Sequence, residues 1–155
     1  MILLDTNILL RFARKSDPEN GRVDAALNLL RGRGEALFIV AQNLYEFWAT
    51  GTRPIAANGL GLSAAECYAE IQRIRMLFTF LPDHPDLYDE WQSLVVSHTC
   101  HGRVSFDARL VAAMKTLGLT QILTYNGADF ARFPGLTILD PAALVPTIPP
   151  TPPPP

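Results

Sequence analysis

Cysteine is scarce. Cys67 and Cys100 are the only two in 155 residues, too few for a disulfide framework and suited to a reducing compartment. Charge is sparse as well, at 18% of residues against the usual ~25%, and its balance is slightly acidic, with a net charge of −2. A whole-face basic footprint for nucleic acid is therefore missing, although a bound cation can supply positive charge locally. No apolar run approaches the roughly 18 residues that span a bilayer; one of the longest is Ala36–Ala41. The opening Met-Ile-Leu-Leu-Asp has no basic residue before its apolar stretch, so no secretory leader is expected and a cytoplasmic protein with no membrane contact is. There is no internal repeat, no phosphate-binding glycine loop and no serine–histidine–acid arrangement.

What is present is a core. Hydrophobic residues make up 48% of the chain, enough for one globular domain of this length. The apolar run Met1–Leu4 ends at Asp5, and Ile8, Leu9 and Phe12 follow at helical spacing, which predicts a buried strand feeding a helix. Gly21–Leu30 carries Val23, Ala26, Leu27 and Leu30 on one face and predicts a second helix. A strand over Ala36–Val40 and a helix over Gln42–Trp48 come next, and Gly51–Leu62, with Pro54 and three glycines, reads as a loop. Ser63 and Glu66 have capping-box spacing for a helix to about Leu77. Thr79–Leu81 predicts a short strand, Leu87–Val96 a helix, and Ser105–Leu117 a helix stopped by Gly118. Gln121–Tyr125 and Leu136–Leu139 predict two more strands around a short helical turn, Ala128–Phe133. Strands that alternate with helices and are apolar on both faces belong to a parallel sheet covered on both sides, the α/β class. Residues 145–155 hold seven of the thirteen prolines and predict an extended proline-rich tail beyond a domain at 1–144.

In an open α/β sheet, ligands bind at the carboxyl ends of the strands. Four acids fall there: Asp5 after the first strand, Glu46 in the helix after the second, Asp107 in the first turn of the long helix, and Asp129 after Gln121–Tyr125. Each has an ordinary use. Glu46 has the spacing to complete a capping box with Asn43, Asp107 complements a helix dipole, Asp129 caps a short helix, and Asp5 ends a strand. Asp5 stands apart, because a carboxylate pressed against a buried strand is costly without a partner, and no basic residue nearby is an obvious one. Four like charges on one sheet edge cannot all stay ionised uncompensated. A hard divalent cation is the simplest compensation, and such a site activates water and clamps a phosphodiester.

Asp5-Thr6-Asn7 after an apolar strand, the Glu46 helix, Phe106-Asp107-Ala108-Arg109-Leu110-Val111-Ala112-Ala113, and Thr124-Tyr125-Asn126-Gly127-Ala128-Asp129-Phe130 occur in this order. Together they resemble the PIN-domain family, in particular the VapC-type toxin ribonucleases of bacterial toxin–antitoxin pairs, over nearly the whole chain to Pro141. The resemblance implies a PIN-like three-layer α/β/α sandwich with a central, mostly parallel sheet. It implies a metal-dependent endoribonuclease, using Mg2+ with Mn2+ as substitute, in which Asp5, Glu46, Asp107 and Asp129 form the metal-binding and catalytic cluster. Asn126 would orient the last acid or the substrate, Thr6 would hold the Asp5 turn, and Asn7 would support the site. RNA is the implied substrate, a small antitoxin the implied partner, and a homodimer the implied assembly. Phe106 stands where many relatives carry histidine, and the proline tail lies outside the family pattern.

Arg11, Arg14 and Lys15, with Arg53 and Arg103, are candidates for phosphate contacts, against the plain alternative of a solvated helix end. His98-Thr99-Cys100-His101 has zinc-binding atoms but lacks a fourth ligand and the usual spacing. Cys67 is expected to pack as a small hydrophobe, and Trp48 and Trp91 to serve the core or a dimer contact. Two rival readings remain. A phosphatase with an aspartyl nucleophile would need a second Asp where Asn7 stands. A PIN-like module that binds RNA or a partner without cleaving would have no use for four uncompensated carboxylates.

Overall fold

The computed structural model describes residues 1–147. The last eight residues, and with them most of the tail expected at 145–155, lie outside the described part. In order along the chain come β1 (Ile2–Leu4), α1 (Thr6–Ala13), α2 (Asn20–Gly32), β2 (Leu37–Val40), α3 (Ala41–Gly51), α4 (Ala64–Leu77), β3 (Thr79–Leu81), α5 (Leu87–Ser97), α6 (Val104–Thr116), β4 (Gln121–Leu123), α7 (Gly127–Phe130), β5 (Thr137–Leu139) and α8 (Pro141–Leu144). The strands form one sheet in the order β3-β2-β1-β4-β5, and every pairing is parallel.

Alternation along the strands divides the core between the two faces. Ile2, Leu4, Leu37, Ile39 and Leu123 join residues of α1 to α4, among them Ile8, Leu9, Phe12, Leu27, Phe47, Cys67 and Ile74. Leu3, Val40 and Ile122 face the other way and pack against α5 and α6 through Leu94, Ala108, Val111, Ala112 and Met114. This is the three-layer α/β/α arrangement that strands apolar on both faces require. Each fully buried Leu or Ile contributes on the order of 1.5–3 kcal/mol relative to exposure.

Local signals are realised as expected at several ends. Ser63 Oγ accepts the Glu66 amide at 3.2 Å while Glu66 Oε2 accepts the Ser63 amide at 2.8 Å, the reciprocal box that the spacing predicts. Gly118, at φ +70°, follows the end of α6 in the left-handed region, which favours glycine. The expected loop Gly51–Leu62 contains one 3-10 turn, Ile55–Ala57. It is pinned to α3 by backbone bonds from Leu60 to the Thr50 carbonyl and from Leu62 to the Gly51 carbonyl. A β-carbon at Gly59 would fall 1.9 Å from the Arg53 carbonyl oxygen, so glycine is what allows this loop to fold against itself.

Two expectations are adjusted. The fourth strand stops at Leu123, and Thr124 and Tyr125 turn out of it. Glu46 does not share a capping box with Asn43; Asn43 instead accepts the Val40 amide at 2.9 Å and donates to the Leu4 carbonyl at 3.0 Å, stitching α3 to β1. Cys67 is fully buried, and Trp91 is half-buried with its indole donating to the Ser105 carbonyl at 2.9 Å, whereas Trp48 is exposed. The His98–His101 segment does not form a metal site. His98 stacks edge-on against Phe133, and no group of three His, Cys, Asp or Glu side chains among the described residues is arranged to hold an ion by itself. No described helix is long and apolar enough to cross a membrane.

Candidate active site

The order β3-β2-β1-β4-β5 places a switch point between β1 and β4: the chain builds the sheet outwards from β1 on one side through β2 and β3, and on the other through β4 and β5. The connections leave a crevice at the carboxyl ends of those two central strands. A cleft of about 670 Å³ opens there, and Asp5, Glu46, Asp107 and Asp129 all line it, with Thr6, Asn7, Asn126, Arg53, Arg103 and Phe106.

Asp5 follows β1 and is buried. Its backbone amide donates to the Leu123 carbonyl at 3.0 Å, continuing the β1–β4 ladder by one residue. Its Oδ2 accepts the Thr124 hydroxyl at 2.6 Å and the Asn7 side-chain amide at 2.7 Å. Asn7 also donates to Thr124 Oγ1 at 3.1 Å and accepts the Tyr125 amide at 3.3 Å, and the Asn126 amide donates to Thr124 Oγ1 at 2.9 Å. Thr124 is thus the hub of the turn after β4 and the fixing point for Asp5. Burial raises the pKa of Asp5 above the usual carboxylate value. The Thr124 hydroxyl pulls it down, the Glu46 charge pushes it up, and the amides of Asn7 and Thr6 add smaller downward effects.

Glu46 projects from α3. Its Oε2 accepts the Thr6 hydroxyl at 2.6 Å and its Oε1 the Gln42 amide at 2.8 Å. The Thr6 hydroxyl therefore serves Glu46, while its backbone amide acts on Asp5. Asp107 lies in the first turn of α6 and titrates at about 6; burial is the largest cause, followed by the charges of Asp129, Asp5 and Glu46, with Arg132 opposing. Asp129, Asp5 and Glu46 are thus close enough for their charges to act on Asp107. Asp129 is exposed at the cleft edge in α7.

Of the remaining candidates, Arg103 and Asn126 line the cleft, and so does Arg53. Arg11 does not. Its guanidinium lies 4.5 Å from the centre of the Tyr125 ring and donates to the Asn7 carbonyl at 3.2 Å, so it braces the back of the site. Thr124 and Gln42 were missed as functional. The only signal for Gln42 was its position one helical turn before Glu46.

None of the ion pairs among the described residues involves Asp5, Glu46, Asp107 or Asp129, although other acids such as Glu19, Glu70 and Asp83 pair with arginine. Four carboxylates at one cleft, with no ion pair to any of them among the described residues and with Asp5 and Asp107 pushed above the usual carboxylate range, need compensation from outside the chain. The donor set is all oxygen, which suits a hard divalent cation. The acids do not close a cage of three on one point, and a small hard cation that keeps several waters and takes one or two carboxylates needs no such cage.

The chain matches the PIN domain family profile over residues 2–136. Ribonuclease VapC24 of Mycobacterium tuberculosis is 28% identical over 146 residues, spanning 91% of this chain and 97% of its own. The fold resembles that of VapBC2 from Rickettsia felis, solved on a DNA fragment from its promoter, with TM-score 0.69 at 15% identity over 90% of this chain and 98% of that one. It also resembles VapC20 of Mycobacterium tuberculosis, described as a sarcin–ricin loop cleaving toxin, with TM-score 0.65 at 17% identity over 86% and 95% of the two chains.

Proposed function

The chain belongs to the PIN-domain family, and from that premise we propose that it is a metal-dependent endoribonuclease, the toxin of a VapBC-type toxin–antitoxin pair. The observation that carries this reading is the cleft at the β1–β4 switch point, with four acids from four separate parts of the chain and, among the described residues, no ion pair to any of them. The match to ribonuclease VapC24 along almost the whole of both chains supports the same activity.

Asp5, Glu46, Asp107 and Asp129 are the residues that would hold Mg2+, or Mn2+ in its place. A bound divalent ion supplies a more acidic water and offsets the charge of the phosphate under attack. The rest is done by the chain. Thr124 and Asn7 fix Asp5 at the strand end, so its carboxylate does not have to reorganise during the reaction. Thr6 and Gln42 hold the two oxygens of Glu46 separately. Burial and the charges of Asp129, Asp5 and Glu46 push the Asp107 carboxyl up to about 6 in the metal-free protein, and a bound cation would favour its ionised form. Arg53 and Arg103 line the cleft, where they would receive phosphates of the RNA strand.

Residues 1–144 form the catalytic domain and 145–155 an appendage to it. A small antitoxin would silence the enzyme by placing a basic side chain among the acids, since that satisfies the same charge deficit as a cation. A homodimer is favoured by the large apolar side chains left exposed on α4 and α5, namely Tyr68, Met76, Tyr88 and Val96. A cytoplasmic location suits a toxin ribonuclease that acts on the cell's own RNA. The phosphatase alternative is disfavoured, because Asn7 spends its amide on Asp5, Thr124 and the Tyr125 backbone.

The test is to incubate purified protein with single-stranded and structured RNAs in Mg2+, in Mn2+ and in EDTA. Cleavage that depends on the ion and is lost in Asp5→Asn supports the proposal. Cleavage that persists in EDTA refutes the metal mechanism, and RNA binding without cleavage in any ion favours a binding module.

A further inference from the structure

Gln42 is buried, yet all its hydrogen-bonding atoms are engaged on defined partners. Its Nε2 donates to Glu46 Oε1 at 2.8 Å and to the Phe106 carbonyl oxygen at 2.9 Å, and its Oε1 accepts from an Arg109 guanidinium nitrogen at 3.1 Å. The second terminal nitrogen of Arg109 donates to Asp83 Oδ2 at 2.7 Å. The contacts therefore run from Asp83, after β3, through Arg109 on α6 and Gln42 on α3 to Glu46 in the cleft.

Each link constrains the next. A guanidinium has only donors, so the face of the Gln42 amide towards Arg109 must be the oxygen, and the NH2 group is forced towards Glu46 and Phe106. A charged donor on the oxygen polarises the amide and strengthens both N–H bonds on the other side. Asp83 holds Arg109 in place by a charge-assisted bond. Phe106 is the residue immediately before Asp107, so one amide group ties the carboxylate of Glu46 to the backbone that carries Asp107. Without it, these two acids sit on helices joined to different strands.

We propose that Gln42, oriented by Arg109 and Asp83, is a positioning residue that sets the spacing of Glu46 from Asp107 and thereby the affinity of the acid cluster for its divalent cation; this rests on the nuclease reading above. Partners that orient the groups around a metal typically affect metal affinity or activity by 10–100-fold when removed.

The experiment uses the full-length protein and Mn2+ as probe, by calorimetry without RNA, together with kcat and KM on an RNA that the wild type cleaves in Mg2+. Gln42→Met keeps the length and burial of the side chain and removes all three bonds. Arg109→Met acts from a more accessible residue and covers the case in which the first variant does not fold, and Arg109→Lys keeps a donor. Expected are a Mn2+ dissociation constant raised about tenfold or more by Gln42→Met, a kcat lowered to match, and KM within about twofold of wild type. Arg109→Met should move both in the same direction, and Arg109→Lys should recover most of the loss. In a Glu46→Ala background, Gln42→Met should add no further loss, whereas a merely structural role would cost the same in both backgrounds.

Folded Gln42→Met and Arg109→Met proteins that bind Mn2+ and cleave like the wild type overturn the proposal and leave the nuclease reading intact. So does a loss that simply adds to that of Glu46→Ala. A wild type that neither binds Mn2+ nor cleaves RNA removes the nuclease reading and this proposal with it. A wild type that binds Mn2+ but cleaves none of the RNAs leaves the affinity measurement to decide.

Discussion

Replacing Asp107 by asparagine should stabilise the metal-free protein at neutral pH while abolishing cleavage. The carboxyl group titrates at 3.8 in an unperturbed chain and at about 6 here, chiefly because of burial and then the charges of Asp129, Asp5 and Glu46. Between those two pH values the folded state binds more protons at this site than the unfolded state, so stability falls as pH rises through the window and the full penalty is present above pH 6. At about 1.4 kcal/mol per pH unit the gap corresponds to about 3 kcal/mol. Asp107 is only partly buried, and solvent screening reduces this to about 1–2 kcal/mol. For a chain of this size that is about 2–8 °C in melting temperature.

Asparagine is nearly isosteric and carries no charge, so Asp107→Asn should melt above the wild type by that margin in EDTA at pH 7.5. The gap should close towards pH 4, where the folded wild-type carboxyl is protonated and no longer carries the charge that asparagine removes. Adding Mg2+ at pH 7.5 should reverse the order, because a ligand at one hundred times its dissociation constant stabilises the wild type by about 2.7 kcal/mol and the variant has lost part of the site. The measurement is a set of thermal melts of both proteins across pH, with EDTA and with Mg2+. An asparagine variant that melts below the wild type in EDTA at pH 7.5, or a difference independent of pH, would show that the acids are not repelling one another and would remove the physical case for a cation there.

Thr124→Val should cost about 1–3 kcal/mol in urea unfolding, since it leaves the Asn126 amide without its acceptor and Asp5 without its shortest donor; kcat should fall at least tenfold, and a variant as active as wild type would refute the fixing role of Thr124. Arg53→Gln and Arg103→Gln should each raise KM for RNA with kcat nearly unchanged, and each should reduce the slope of log affinity against log salt by about 0.7, the increment for one phosphate contact on a single strand; unchanged slopes would take both arginines off the substrate. Truncation after Leu144 should leave the cleavage rate within about twofold, because residues 145–155 contain no charged or titratable side chain to offer a phosphate or metal; a folded but inactive truncation would place the tail in the cleft.

The parts of the molecule that were legible in the sequence are those set by local pattern. Ile2–Leu4 and Leu37–Val40 are apolar on both faces because helices cover both sides of the sheet, and that is readable without knowing which strand pairs with which. Asp5 was legible for a related reason: a charge placed directly after such a strand must lie at the sheet's carboxyl edge, whatever the pairing, whereas Glu46, Asp107 and Asp129 stood out through the order of the motifs along the chain. What pairing alone decides was not legible. Thr124 reads as an ordinary strand-end residue until β4 is laid beside β1, which brings its hydroxyl to Asp5 across 119 positions of chain. Gln42 acquires its meaning from a carbonyl 64 positions away, and Thr6 from a carboxylate 40 positions away. Arg11 shows the converse error. Its closeness to Asp5 in sequence suggested a phosphate contact, but one further turn of α1 carries it past the cleft and onto Tyr125. Charge needs are visible in a sequence because they follow from composition at a place, whereas the neutral donors that orient those charges are chosen by tertiary contact, and threonine and glutamine are common enough elsewhere to carry no mark of it.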